Sequence, residues 1–148
     1  MAKEKEYDLN FEGYWRNKEV LPEYSGIYFV YRAVPHEDPN TKKVTVTLKE
    51  LIYIGQAENI LERHKSHEKQ TEFEQELKPG EELCYSTTEV TKNDLNRVEN
   101  GLIYKRKPRL NDKGTQSFDH PRTTFILNGV FKDFSPNRFT LVGTGDDD

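Results

Sequence analysis

The chain has a single cysteine, Cys84, and therefore cannot form an internal disulfide bond. This scarcity fits a protein of the reducing cytoplasm. No apolar run approaches the roughly 18 residues that a membrane-spanning helix needs, so we expect no membrane partner. The N-terminus, residues 1–6, is mostly charged and lacks the apolar segment of a signal peptide.

Apolar residues are also few, at 33% of the chain against 32% charged residues. A chain of 148 residues with this balance predicts one domain with a modest core and a large polar surface. The formal net charge of −4 argues against a general nucleic-acid-binding protein. The charge is unevenly distributed, because the chain ends in three aspartates while residues 97–113 carry six basic and two acidic side chains. A basic run of this kind is also typical of a solvated helix end.

Apolar periodicity and turn residues predict several short strands. They are residues 26–32, 44–48, 51–55, 82–90 and 139–142. Residues 33–42 are predicted to be a loop, and residues 1–12 are expected to be ordered only in part. The pair Asn128-Gly129 lies between the apolar runs 123–127 and 130–134. Because this pair favours a two-residue turn, it predicts a β-hairpin there.

Helical signals alternate with these strands. Asn59 is suited to cap a helix that begins at Ile60, and a second helix is predicted over 71–77. A third is predicted over 91–107, with Asn93 as its cap and Pro108 as its stop. Together these elements predict an α/β domain of the α+β type, in which a small, mainly antiparallel β-sheet is flanked by helices.

The segment that follows the strand 51–55 carries two groups suited to a phosphate. Arg63 and His67 are four residues apart, so a continuous helix would present them on one face. Arginine can hold a phosphate with two hydrogen bonds, and histidine can move a proton near neutral pH.

Glu99 is the most informative single residue, because it interrupts the apolar stripe formed by Leu95, Val98, Leu102 and Ile103. A buried carboxylate without a partner is costly, by several kcal/mol or more. Glu99 is therefore expected to pair with a base, bind a metal or lie at the mouth of a cleft. A structural salt bridge is the simpler explanation, since such pairs outnumber catalytic carboxylates.

Taken together, these residues form an ordered set. It comprises Gly26-Ile27-Tyr28, Tyr53-Ile54-Gly55, Arg63, His67, Glu99 and Asn111. In this order the set resembles the GIY-YIG nuclease family. Both name-giving tripeptides are present literally, Arg63 follows Tyr53 at the family's usual spacing of ten residues, and His67 stands where the family has His or Tyr. The segment from Glu99 to Asn111 looks like the glutamate helix of the family, and the match spans about residues 25–112.

The resemblance implies a division of the chain into a nuclease core and flanking segments. These are an N-terminal extension (1–24), a core (25–114) with a lengthened hairpin (33–48), a C-terminal β extension (115–142) and an acidic tail (143–148). The hairpin is a departure from the family, because Tyr28 and Tyr53 are 25 residues apart. Gln56 is another, since some members have a lysine there.

The resemblance also implies metal-dependent hydrolysis of phosphodiester bonds, most simply in DNA. Glu99 would be the one protein carboxylate on Mg²⁺ or Mn²⁺, and Arg63 would neutralise the scissile phosphate. Tyr28 would orient or deprotonate the attacking water, and His67 would be its natural proton acceptor. Which of these two residues is the general base is left open by the sequence. Tyr53 would contact the phosphate or the water, and Asn111 would hold the site together. The basic residues Lys105, Arg106, Lys107 and Arg109 would follow the nucleic-acid backbone.

Other functions remain open at this point. A domain that kept the fold could bind nucleic acid or protein without cutting, and a nuclease could act on RNA or branched DNA. Target choice could come from the hairpin, the C-terminal extension, a homodimer or a partner protein. Restriction, phage or mobile-element, and repair roles all fit the same catalytic residues.

Overall fold

A computed structural model describes residues 3–143. Its strands are β1 (Lys5–Trp15), β2 (Gly26–Glu37), β3 (Val44–Ala57), β4 (Glu82–Glu89), β5 (Thr123–Gly129) and β6 (Arg138–Leu141). Its helices are α1 (Ile60–Lys65), α2 (Gln70–Gln75) and α3 (Leu95–Arg106). Two 3₁₀ turns lie at Lys18–Val20 and Lys92–Asp94. Within residues 3–143, no helix has both the length and the apolar character needed to cross a membrane.

The six strands form one sheet in the order β3-β2-β4-β1-β5-β6. Every neighbouring pair is antiparallel except β1 and β5, which are parallel. The molecule is therefore an α+β fold with a mixed sheet and few helices. This confirms the coarse prediction of a mainly antiparallel sheet accompanied by helices.

The N-terminal strand β1 lies inside the sheet. Its first residues pair with β5, and its last residues pair with β4. Leu9 and Phe11 anchor it, with 3% and 2% of their surfaces exposed. The prediction that residues 1–12 are ordered only in part is therefore wrong for residues 5–12. Polar residues alternate with Leu9 and Phe11, so the strand is buried on one face only. Its local composition is therefore too polar to predict an ordered strand.

Strands β2 and β3 form a long hairpin that holds both tyrosine motifs. Their register runs from Gly26 opposite Ala57 to Glu37 opposite Val44. The predicted loop 33–42 is thus strand up to Glu37, and the connection is confined to residues 38–43. Asp38 closes it, because its carboxylate accepts hydrogen bonds from the following backbone amides. Residues 33–48 therefore form the distal part of this hairpin and its connection.

The two faces of β2 are buried in different cores. Phe29, on one face, belongs to the core cluster that includes Val98 and Leu102 of α3. On the other face, Tyr28 packs with residues of the α1–α2 side, including Phe73. This alternation follows the two-residue period of a strand, and it directs Tyr28 towards the segment that carries His67.

Two predicted boundaries differ from the structure. Asn128 and Gly129 end β5 opposite Asn10 and Phe11, so the hairpin predicted at 123–134 is wrong. Gly129 has φ +87°, and a side chain there would meet the Phe11 carbonyl, so it serves the close approach of β1. Asn93 lies in a 3₁₀ turn and does not cap α3, which begins at Leu95.

The acidic tail predicted at 143–148 lies outside the described residues from 144 onwards.

Candidate active site

The hairpin register sets Tyr28 directly across from Gly55. A Cβ atom built on Gly55 would overlap the ring end of Tyr28, at Cζ and Oη. Glycine at this position therefore lets the tyrosine ring lie flat across β3. The two motif tripeptides are thus a packed pair as well as neighbouring strands.

This packing predicts the effect of a single methyl group. Gly55→Ala is expected to lower the free energy of unfolding by about 3 kcal/mol, because an overpacked site forces the ring or the strand to move. Urea unfolding monitored by circular dichroism measures it. Thr47→Ala, at an exposed position of the same strand, is the control. A stability loss below that of the control would mean that Tyr28 can shift without cost.

The Tyr28 hydroxyl is bonded to His67, with 2.7 Å between Oη and Nε2. The other ring nitrogen of His67, Nδ1, accepts a hydrogen bond of 3.0 Å from the backbone N–H of Lys69. Since Nδ1 is an acceptor, the proton of the neutral imidazole resides on Nε2. His67 therefore donates to Tyr28. Both residues are buried, with 5% and 1% of their surfaces exposed, so the hydroxyl is covered in the free protein.

His67 does not share a helical face with Arg63. Helix α1 is capped at Asn59 as predicted, but it ends at Lys65. Ser66 leaves the helical conformation, and His67 lies on the connection to α2. The His67 ring accepts a hydrogen bond from the backbone amide of Lys69, which a continued helix would have directed to a backbone carbonyl. Burial lowers the pKa of His67, and Arg63 is still close enough for its charge to lower it further.

Arg63 is held by a carboxylate that the sequence analysis did not single out. Its Nη2 donates to Oε2 of Glu68 at 2.7 Å. The Arg63 side chain is 29% exposed and that of Glu68 is 71% exposed. Spacing alone could not have indicated this pair, because the residues are separated by the end of α1.

Glu99 is half-buried and has no ion-pair partner among residues 3–143. Its Oε1 accepts a hydrogen bond of 2.8 Å from Gln56, which also donates to Asn96. Burial raises the pKa of the Glu99 carboxyl above its ordinary value, and the bond from Gln56 opposes this. The simpler explanation offered above, a structural salt bridge, is therefore not realised in the described part of the chain. Gln56 is hydrogen-bonded to this carboxylate in its place.

Asn111 binds the outer edge of β3. Its Oδ1 accepts from the backbone N–H of Ile54 and its Nδ2 donates to the Ile54 carbonyl, each at 2.9 Å. The neighbouring Leu110 N–H donates to Ile52. The side-chain amide thus continues the sheet by one residue, and it fixes the chain after α3 beside Tyr53.

A cleft of about 440 Å³ opens beside these residues. Tyr53, Glu99 and Asn111 line it, which brings together three of the six residues predicted for the site. The rest of its lining is Glu68, Lys69, Asn100, Ile103, Asp112, Lys113 and Gly114. Tyr28 lies behind Tyr53, with 6.3 Å between the ring centroids. Burial raises the pKa of Tyr53 to about 12, and it raises that of Tyr28 as well.

The residues predicted to contact nucleic acid fall into two groups. Arg106 donates to the carbonyl and the carboxylate of Asp133. Arg109 donates to both Glu50 and Glu76. Lys105 and Lys107 are exposed, and they lie over the rings of Phe139 and Tyr104. The two arginines thus contribute to internal ion pairs, whereas neither lysine has a carboxylate partner among residues 3–143, and Lys107 also donates to the Tyr104 carbonyl.

Nothing in the sequence around His64 predicts a role for it, yet it is 1% exposed and packs against the rings of Tyr28 and His67. Neither of its ring nitrogens has a hydrogen-bond partner among the described residues. Burial lowers the pKa of His64 to about 3 and that of His67 to about 4. Both imidazoles are therefore neutral in the folded protein near neutral pH.

These two histidines predict a loss of stability in mild acid. In the unfolded chain a histidine has a pKa near 6.5. Between that value and about 4, the unfolded state takes up protons that the folded state does not bind, so the free energy of unfolding falls as pH falls. One buried histidine contributes at most about 1.4 kcal/mol per pH unit.

His64→Phe is the test of this dependence, since it keeps an aromatic ring and breaks no hydrogen bond. The free energy of unfolding of His64→Phe is expected to change less steeply between pH 6 and 4 than that of wild type. The difference in slope corresponds to about one bound proton. Urea unfolding at several pH values measures this. His36→Phe, at an exposed position of β2, is the control. An identical slope in wild type and His64→Phe would show that His64 is protonated in the folded protein.

The residues 3–143 contain no group of three or more His, Cys, Asp or Glu side chains arranged to hold a metal ion.

Comparison with protein-family models, with curated proteins and with solved structures gives no match for this chain.

Proposed function

We propose that this protein is a metal-dependent endonuclease of the GIY-YIG type, which hydrolyses phosphodiester bonds in DNA in the cytoplasm. The observation that carries the proposal is the Glu99 carboxylate. It is half-buried, lacks a cationic partner in the described chain, and lines a cleft together with Tyr53 and Asn111. An ionised group in this position is costly for the fold, and metal binding would offset that cost.

The donor set fits one hard divalent cation. Magnesium and manganese prefer oxygen ligands and keep several waters, so a single carboxylate in a polar cleft is sufficient protein contribution. Glu99 would hold the ion, and Gln56 would fix the orientation of the carboxylate by its hydrogen bond. When bound, the ion would supply charge stabilisation at the leaving oxygen.

The hydrogen bonds of His67 favour one assignment of roles to the two candidate bases, His67 and Tyr28. The proton of His67 lies on Nε2, which donates a hydrogen bond to the Tyr28 hydroxyl oxygen. Its Nδ1 accepts a hydrogen bond from the Lys69 amide. It could accept a further proton only by giving up that amide. We therefore assign His67 as the residue that positions Tyr28, and Tyr28 as the residue that handles the attacking water. This assignment chooses between two bases that the sequence leaves open.

Burial raises the pKa of the Tyr28 hydroxyl, so this hydroxyl is a weak base catalyst in the free protein. The raised pKa therefore supports a role for Tyr28 in orienting the water, and not in removing a proton from it. The bond from His67 favours a negative charge on the Tyr28 oxygen if one develops. Because Tyr28 is covered, substrate binding has to expose its hydroxyl. Tyr53, which lines the cleft, would contact the phosphate or the water first.

Arg63 would stabilise the negative charge of the scissile phosphate through its guanidinium. Asn111 would act at a distance from the substrate, because both ends of its amide are bound to Ile54. Lys105 and Lys107 would contact the nucleic-acid backbone from the end of α3, whereas Arg106 and Arg109 would contribute to stability. A homodimer or a partner protein would supply the choice of target.

A second candidate is a binding module that does not cut. The acidic character of the cleft favours a module that binds a protein, because the three acidic residues on its wall outnumber the two lysines and would repel nucleic acid. The formal net charge of −4 has the same effect. An unpaired Glu99 argues against it, since a purely binding domain gains nothing from the cost of burying that charge. RNA or branched DNA as the substrate remains a variant of the nuclease proposal.

A cleavage assay tests the proposal directly. Supercoiled plasmid, single-stranded DNA, branched DNA and RNA are each incubated with the purified chain in Mg²⁺, Mn²⁺ or EDTA. Cutting that requires metal is the expected result, and the substrate that is cut identifies the class. Binding without cutting of any substrate, by a protein shown to be folded, would favour the second candidate.

A further inference from the structure

The guanidinium assigned to the substrate's phosphate is already occupied by a carboxylate of this chain. Arg63 Nη2 lies 2.7 Å from Glu68 Oε2. A carboxylate presents oxygens to arginine much as a phosphate does, which is why arginine recognises both. Glu68 thus occupies a position on Arg63 that a phosphate oxygen would need.

The Glu68 carboxylate is held ready for this contact. It follows His67 directly on the connection between α1 and α2. A hydrogen bond from its own backbone N–H lowers the pKa of the carboxyl, and Arg63 lowers it further. The group is therefore ionised at neutral pH. It also lines the same cleft as Glu99 and Tyr53.

The pair is also easily displaced. The Glu68 side chain is 71% exposed, and exposed ion pairs contribute little to stability because water and salt compete for them. Displacing Glu68 would therefore leave the core intact. A single phosphodiester carries one negative charge, as a carboxylate does, so a nucleic acid would displace Glu68 through the summed charge of its neighbouring phosphates.

We propose that Glu68 is a competing anion, which occupies the phosphate-binding position on Arg63 until a substrate phosphate displaces it. This rests on the proposed function for the role of Arg63. Glu68 would then set how much negative charge a ligand needs in order to enter the site. Its removal would strengthen phosphate binding and lower KM, with little change in kcat.

A binding experiment without catalysis tests the competition. Inorganic phosphate is titrated into ¹⁵N-labelled protein in EDTA, and the Arg63 side-chain N–H and the amides of residues 66–69 are followed by NMR. Glu68→Gln keeps the size of the side chain and removes its charge. It is expected to bind phosphate about 3- to 10-fold more tightly than wild type, as expected for loss of an exposed ion pair.

Two further variants show where the effect arises. Glu62→Gln removes an exposed glutamate of α1 that is paired with Lys65, and it is expected to bind as wild type does. Arg63→Ala combined with Glu68→Gln is expected to lose the gain. Equal affinity in wild type and Glu68→Gln would overturn the proposal, and so would a gain that survives without Arg63.

The outcome is separable from that of the nuclease proposal. If no nucleic acid is cut but Glu68→Gln binds phosphate more tightly through Arg63, the competition stands and the nuclease function fails. If DNA is cut but Glu68→Gln changes neither phosphate affinity nor KM, the nuclease function stands and the competition fails.

Discussion

Replacing Glu99 with glutamine is expected to reduce metal-dependent cleavage by about a thousandfold while leaving the protein folded. In the proposed site, the carboxylate is the protein's direct contact to the ion. Such an ion is worth several kcal/mol to the transition state, and each 1.4 kcal/mol or so corresponds to a factor of ten in rate. An amide of the same shape binds the ion too weakly to replace that contribution.

The stability of Glu99→Gln distinguishes this role from a structural one. The pKa of the carboxyl is raised in the folded protein, so ionising it costs stability at any pH above its ordinary range. Glutamine removes that cost and can still accept the hydrogen bond from Gln56. We therefore expect Glu99→Gln to be at least as stable as wild type at pH 7, with the advantage shrinking as pH falls.

Single-turnover cleavage in excess Mg²⁺ and urea unfolding at pH 7 and pH 5 provide the two measurements. Glu58→Gln, which removes an exposed carboxylate paired with Lys92, is the matched control. Cleavage by Glu99→Gln at the wild-type rate would rule out a metal role. A protein that no longer folds would instead mean that Glu99 holds the structure together.

Replacing Tyr28 with phenylalanine is expected to reduce cleavage by about 10²- to 10⁴-fold, the range typical of a lost acid–base or water-positioning group. The ring that packs on Gly55 remains, so the hairpin keeps its register. Removal of the hydroxyl leaves the buried Nε2–H of His67 without its partner, which costs about 1–3 kcal/mol of stability. Both effects come from one oxygen atom.

The same strand offers a matched control for the loss of a buried hydroxyl. Tyr31 lies on the opposite face of β2, and its hydroxyl is bonded to the backbone of Lys132. Tyr31→Phe is expected to cost similar stability and to leave the rate of cleavage by the folded protein unchanged. If Tyr28→Phe cuts like Tyr31→Phe, the attacking water is handled elsewhere, and Tyr53 becomes the candidate.

Local signals carried much of the architecture. Alternating apolar residues located both faces of β2, Asn59 capped α1, and α3 ended just before Pro108. Each of these depends on neighbours within a few residues, where backbone geometry and side-chain hydrogen bonds act directly.

The predictions from sequence failed where a residue's partners are distant in the chain. Residues 5–12 look too polar for an interior strand until β4 and β5 lie on either side of them. Gly129 suggests a turn, but it is used to bring β5 close to β1. Pairing energy between remote strands does not appear in any local window of sequence.

The candidate site divides in the same way. The sequence by itself determined which reactive side chains exist and in what order, since spacing, tripeptide motifs and a glutamate within an apolar stripe are local facts. Only the tertiary structure decided the partners. His67 donates to Tyr28, and Arg63 is held by Glu68. Glu99 has no cationic partner within residues 3–143, and Arg109 is bound to two glutamates, Glu50 and Glu76. The physical reason is that charge and hydrogen-bond energies depend on distance and burial, which folding sets between residues far apart in the chain.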